Sequence, residues 1–160
     1  MSDALLILSF VTALGASLAA GVFFAFSNFV MSALGRIPAG EGIRAMQEIN
    51  VTVINRWFMT VLFGTGVASL AVIVAALADW EGAYGWYLVA AGTLYVVGCV
   101  AVTMAFNVPR NQALAVVEPG SADGAAVWGR YLVEWTRWNS VRTVASLATT
   151  AALMGAIAAS

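Results

Sequence analysis

Charge is missing from four long stretches of this 160-residue chain. No Asp, Glu, Lys or Arg occurs from Ala4 to Gly35, from Trp57 to Ala78, from Gly82 to Pro109, or from Thr143 to Ser160. About 20 apolar residues in a helix cross the ~30 Å hydrocarbon core of a bilayer. A lipid-exposed backbone must satisfy its own hydrogen bonds, so runs of this length read as helices. A water-soluble bundle would need a polar face on every helix, and these runs have none. Only 9% of residues are charged and 62% are hydrophobic, against roughly 25% charged in ordinary soluble domains. The expected fold is all-α: a polytopic membrane protein, a four-transmembrane-helix bundle with short cytoplasmic interfacial helices. It forms a single domain over residues 1–160, with spanning helices at about 5–34, 56–78, 84–106 and 139–159.

The first run is too long for a signal peptide and has Asp3 where a basic n-region would stand, so it reads as a retained helix. Arginines set the orientation, since the chain has no lysine. Arg36, Arg44 and Arg56 lie between helices 1 and 2, and Arg110, Arg130, Arg137 and Arg142 between helices 3 and 4. The short turn between helices 2 and 3 carries Asp79 and Glu81 instead. The positive-inside rule then puts both long connecting segments in the cytoplasm and both termini outside a bacterial inner membrane. Trp57, Trp80, Tyr84, Trp86 and Tyr87 fall at the expected rims.

Both long connections are more than loops. From about Glu41, Ile43, Met46, Ile49 and Val53 give an apolar stripe, which reads as an interfacial helix running into helix 2. Trp128, Tyr131, Leu132, Trp135 and Trp138 recur at three-to-four spacing, a second interfacial helix before helix 4. Between them, "FNVPRNQAL" follows helix 3. If the backbone there is helical, Asn107 and Asn111 share a face; alternatively Pro109 occupies the first turn of a new helix after a break at Asn107 and Val108. In helix 1, Gly15, Ala16, Ala19, Ala20 and Gly21 form a small-residue face on which another helix can pack closely.

Much chemistry is excluded. Without histidine there is no imidazole acid–base pair or imidazole-ligated metal, and the single Cys99 makes no intrachain disulfide or zinc site. No basic patch interleaved with exposed aromatics points to nucleic acid. What remains is a polar set near the cytoplasmic helix ends: Asn28, Gln47, Asn50, Asn55, Asn107, Asn111, Asn139 and Arg142. Amides there glue helices and cap their ends. They also suit a pocket, because amides and a guanidinium stabilise negative charge on a phenolate or enolate. Trp57, Trp128, Trp135 and Trp138 would supply apolar walls. As proton acceptors, Glu48, Glu134 and Tyr131 are the candidates, the two glutamates only if they fold back over the pocket.

The blocks "GVFFAFSNFVMSAL", "AMQEINVTVINRWF", "FNVPRNQAL" and "WTRWNSVRTVASLAT" resemble, in order and from about Gly21 to Thr150, the anthrone oxygenase-like family of small bacterial membrane proteins. The resemblance implies oxidation of anthrones to anthraquinones by molecular oxygen, with no metal or flavin. It implies recurring polar positions at Asn28, Gln47, Asn50, Asn107, Asn111, Trp138, Asn139 and Arg142. With the tryptophan walls added, the expected catalytic residues are Arg142, Asn139, Asn107 and Asn111, and the expected substrate-binding ones Asn28, Gln47, Asn50, Trp57, Trp135 and Trp138. The expected function is a cofactor-independent oxygenase acting at the membrane on a lipophilic anthrone-like or polycyclic phenol substrate. The rival is a non-catalytic lipid- or quinone-binding protein, or an accessory subunit of a larger membrane complex. Expected partners are membrane lipids, a hydrophobic aromatic or quinone-like ligand, and a homo-oligomer or larger assembly.

Overall fold

The computed structural model describes residues 1–78, 80 and 82–160. Among the described residues, four helices are long and apolar enough to cross a membrane: α1 (Asp3–Leu34), α3 (Arg56–Ala78), α4 (Tyr84–Ala115) and α5 (Ala122–Ala158). A shorter helix, α2 (Ala39–Thr52), joins α1 to α3. No strand occurs among the described residues. Asp79 and Glu81, in the turn between α3 and α4, lie outside the described residues.

Local chemistry sets the helix starts. Ser2 Oγ accepts from the Leu5 N–H at 3.4 Å, and Ser121 Oγ accepts from Gly124 at 2.9 Å. Asn55, one of the amides near the helix ends, caps α3: its Oδ1 accepts from Trp57 and Phe58 N–H at 3.0 and 3.1 Å. Such caps satisfy donors that no helical carbonyl reaches.

Each long helix packs against two neighbours. α5 lies between α1 and α4, and α3 closes the square between the same two. The small-residue face of α1 is filled from within the chain except at Gly21, which is exposed. Ala16, Ala19 and Ala20 are buried, and a Cβ on Gly15 would overlap Thr65 Oγ1 of α3. Ser17 and Thr150 hydroxyls meet at 3.1 Å between α1 and α5. The outward residues, among them Ile7, Phe10, Leu14, Val67 and Leu147, are exposed and apolar, as a lipid-facing surface requires.

Three helices differ from the sequence expectation. α2 does not run on into α3: it ends at Thr52, and the chain is extended at Asn55 (φ −123°, ψ 162°), whose side chain caps α3. Helix 4 was expected at 139–159, with a separate interfacial helix before it. Instead α5 is continuous over 37 residues, about 55 Å at the helical rise. No proline or capping turn interrupts it after Ser121, so the tryptophan-bearing segment projects beyond the apolar run as the same helix. Helix 3 was expected to stop at about Phe106, with the chain beyond it either helical, so that Asn107 and Asn111 share a face, or broken at Asn107 and Val108. The chain remains helical there (Val108 φ −60°, ψ −47°) and α4 ends only at Ala115. A π-helical turn at Thr103–Asn107 ends two residues before Pro109. Widening the helix relieves the clash a proline ring makes with the preceding turn. The Arg110 guanidinium also donates to the Phe106 carbonyl in that turn, at 2.8 Å.

The α1–α3 and α4–α5 connections lie at one end of the bundle, where α2 packs across α4 and α5. A Cβ on Gly42 would sit 2.8 Å from Trp128 Cζ2, so glycine allows α2 to press onto the α5 aromatics. Ile43, Met46, Leu114, Trp128, Tyr131 and Trp135 form one buried cluster there.

Candidate functional site

Below that cluster the helices part around a cavity of about 200 Å³. Its walls come from all five helices: Phe23 and Phe26 of α1, Asn50 of α2, Phe58 of α3, Asn107 of α4 and Trp135 of α5 are examples. Three π-helical turns border it, at Phe26–Val30, Thr60–Gly64 and Thr103–Asn107. Each adds a residue to a helical turn and so displaces side chains from the regular register, a feature common at functional sites. Ile54, Phe63 and Met104 carry the lining out to the exposed surface of the bundle.

Arg142 dominates the cavity electrostatically. It is 5% exposed, and no described carboxylate pairs with it; the ion pair between described residues is Arg110–Glu134, at 2.8 Å. The guanidinium lies over the Phe23 ring at 4.2 Å and the Trp135 ring at 5.4 Å. Its terminal nitrogens donate to Thr103 Oγ1 at 3.1 Å and Asn139 Oδ1 at 2.7 Å. A guanidinium has five N–H donors; two are used here, which leaves three without a partner among the described residues. Nε is one of them. A buried cation with no counter-ion costs several kcal/mol, of order, unless a ligand or dipoles compensate it.

Asn139 is the clamp. While its Oδ1 accepts from Arg142, its Nδ2 donates to the Phe23 carbonyl at 2.6 Å and Ser27 Oγ at 2.7 Å. Residues Asn139 and Arg142 are thereby tied to α1. Asn107 Nδ2 donates to the Trp135 carbonyl at 3.2 Å, and its buried Oδ1 has no partner. Asn111 Oδ1 accepts from both Tyr131 Oη and Trp135 Nε1 at 2.8 Å.

The structure therefore gathers Arg142, Asn139, Asn107, Asn111, Asn50 and Trp135 around one cavity. Four other positions do not line it. Asn28 is exposed on the outside of α1, and the adjacent Ser27 makes the inward contact. Gln47 Nε2 donates to the Leu114 and Val117 carbonyls at 2.9 and 3.2 Å, closing the end of α4. Trp57 is 71% exposed, with the Arg56 guanidinium over its ring. Trp138 stacks on Phe106, with ring centroids 3.6 Å apart. Neither glutamate folds over the cavity: Glu48 is exposed and Glu134 pairs with Arg110.

Sequence reasoning missed Thr103, Phe23 and Ser27, which hold Arg142 and Asn139. A threonine or phenylalanine in an apolar helix carries no distinguishing signal. Ser27 missed notice beside the more polar Asn28, and the π-helical turn that follows Ala25 decides which of the two faces inward.

Fold and site together define an α-helical membrane protein with a mostly apolar, laterally open cavity built on a buried, unpaired arginine. The chain belongs to the anthrone oxygenase family, whose model matches residues 55–152. That span holds α3, α4 and the cavity-lining part of α5, so Thr103, Asn107, Asn111, Trp135, Asn139 and Arg142 fall within it. Phe23, Ser27 and Asn50 fall outside it, as does most of the first two of the four resembling blocks. Membership associates the chain with oxygenase-type chemistry. No curated protein and no solved structure matches the chain.

Proposed function

We propose that the cavity binds a planar, lipophilic aromatic ketone or phenol in its ionised form and presents the carbanion to molecular oxygen. The observation that carries this reading is Arg142: a buried guanidinium with no carboxylate partner, clamped against two aromatic rings at an apolar cavity. An enolate oxygen would meet preorganised donors in a low-dielectric site, which stabilises charge far better than water-exposed donors do. Phe23, Phe26, Phe58 and Trp135 suit a flat ring system.

For an anthrone-type methylene, loss of one proton to bulk water gives the enolate that binds, and its carbon adds dioxygen to form a peroxide anion. Protonation gives the hydroperoxide. Loss of the remaining C–H proton and cleavage of the O–O bond then give the ketone and water. The balance is R₂CH₂ + O₂ → R₂C=O + H₂O; carbon is oxidised, and dioxygen is reduced without an added electron donor. Arg142 stabilises the enolate, Asn139 and Thr103 hold Arg142, and the ring walls exclude water. The exposed apolar rim at Ile54, Phe63 and Met104 suits entry from the lipid phase. Arginine placement favours an orientation with both long connections cytoplasmic, in a bacterial inner membrane.

The test is oxygen uptake by the purified protein in mild detergent with anthrone. One O₂ consumed per anthrone, with anthraquinone formed and the rate at least tenfold lower in Arg142→Met, supports the reading. Uptake equal to protein-free buffer, with anthrone still bound, would sink the catalytic part and leave a lipophilic-ligand-binding protein.

A further inference from the structure

The cavity amides have a fixed polarity, and one residue type settles it. An amide's oxygen and nitrogen are usually told apart only by their partners. Indole Nε1 is exclusively a donor. Trp135 Nε1 lies 2.8 Å from Asn111 Oδ1, so the atom it meets must be the carbonyl oxygen, since an amide nitrogen there would set two donors face to face. Tyr131 Oη lies 2.8 Å from the same oxygen, which uses the single phenolic hydrogen. The phenolic oxygen is then left to accept, and Asn50 Nδ2 approaches it at 3.5 Å. Asn111 is left with its Nδ2 free, and Asn50 with its Oδ1 free. Both residues line the cavity.

Neither donor can easily swing away. Tyr131 and Trp135 are 3% and 5% exposed, and with Trp128 they form a stacked ladder along α5, with centroids 5.7 and 5.8 Å apart. Phe26 closes on Trp135 from α1 at 5.8 Å.

We infer that Trp135 fixes the direction of the hydrogen-bond chain Trp135–Asn111–Tyr131–Asn50, so that the cavity offers Asn111 as a donor and Asn50 as an acceptor. A ligand that uses both carries a carbonyl or ionised oxygen and, separately, a hydroxyl hydrogen. Tyr131 is a positioning residue that sets the polarity of two amides. This specificity rests on the cavity being the ligand site proposed above.

Two oxygen-stable probes separate the outcomes: 2-hydroxyanthraquinone and its methyl ether, titrated by tryptophan quenching at a pH where the hydroxyl is neutral. The wild type should bind the hydroxyl compound about tenfold more tightly than the ether, as one buried hydrogen bond gives. Asn50→Leu should bring that ratio close to one, and Tyr131→Phe should lower it while ether binding stays within about twofold. Asn111→Asp keeps an oxygen for Trp135 and Tyr131 but replaces the donor, so both probes should weaken about tenfold or more. A ligand-free readout runs beside these: the ¹⁵N–¹H signal of the Trp135 indole should shift in Asn111→Leu and stay near its wild-type position in Asn111→Asp. A hydroxyl-to-ether ratio unchanged in Asn50→Leu, or an indole signal indifferent to Asn111→Leu, would overturn the inference. Binding of neither probe by the wild type, with the indole responding as expected, would instead overturn the use of the cavity and uphold the direction of the chain.

Discussion

Arg142→Met is the sharpest perturbation of this protein. Methionine keeps an unbranched chain between the Phe23 and Trp135 rings, where the guanidinium carbon now sits 4.2 and 5.4 Å from the centroids. It removes the charge and the three donors that no described residue uses. A hydrogen bond to a charged group contributes about 1.5–3 kcal/mol, or roughly 10- to 150-fold in affinity. Affinity for an ionised phenolic ligand should fall by that factor. Affinity for its neutral methyl ether should change by less than about threefold, since apolar contacts persist. Stability should respond more weakly. Asn139 Oδ1 loses a partner at about 1–3 kcal/mol, but the desolvation cost of an unpaired buried cation, several kcal/mol in order of magnitude, is removed. Tryptophan-quenching titration of both ligands, with thermal unfolding in detergent as the fold control, measures all three. Equal losses for the ionised ligand and the ether, or no loss for either, would refute the reasoning that Arg142 recognises negative charge.

Asn139→Ala should lower thermal stability and ionised-ligand affinity together, because one amide ties Arg142 to the Phe23 carbonyl and Ser27. Unfolding should cost about 2–4 kcal/mol less, and Ser27→Ala should give a smaller part of the same effect. Trp57→Ala and Asn28→Ala should leave ligand affinity within about twofold, since both side chains face outward; a tenfold loss at either would relocate the site. Gly15→Ala should destabilise by about 1–3 kcal/mol through overlap with Thr65, and adding Thr65→Ala should restore part of the loss in a double-mutant cycle. Binding of a phenolic ligand should strengthen as pH rises to the ligand's own pKa and then level off, because the cavity lining holds no carboxylate, imidazole or thiol. A second ligand one pKa unit more acidic should shift that midpoint down by about one unit, whereas a shared midpoint would implicate a protein group.

The spanning helices were legible because bilayer thickness and backbone hydrogen bonding leave a charge-free run of about 20 residues almost no alternative. Their ends were not. The continuation of α4 through Pro109 depends on a π-helical turn, a hydrogen-bonding pattern with no distinct sequence signature, and α5 absorbs a segment whose tryptophans also suit an interfacial helix. At the site, residue type indicated which amides and which arginine to consider, because polar groups are costly in apolar helices. Facing was harder to read. Asn28 and Ser27 exchange roles across a π-helical turn, Gln47 is consumed by the carbonyls that end α4, and Trp57 and Trp138 share their residue type with Trp135 but not its orientation. Tyr131 was legible as a polar group near the cavity, whereas its part in orienting Asn50 and Asn111 required atomic distances.

Anaerobic binding of anthrone tests the central claim most directly, since the absorption spectrum separates the neutral ketone from its enolate and no oxygen is present to consume either. At a pH below the free ligand's pKa, the account predicts an enolate spectrum at one equivalent per chain, absent with Arg142→Met and quenched within the mixing time when oxygen is admitted. A spectrum of neutral anthrone only, or equal enolate with the variant, would contradict it.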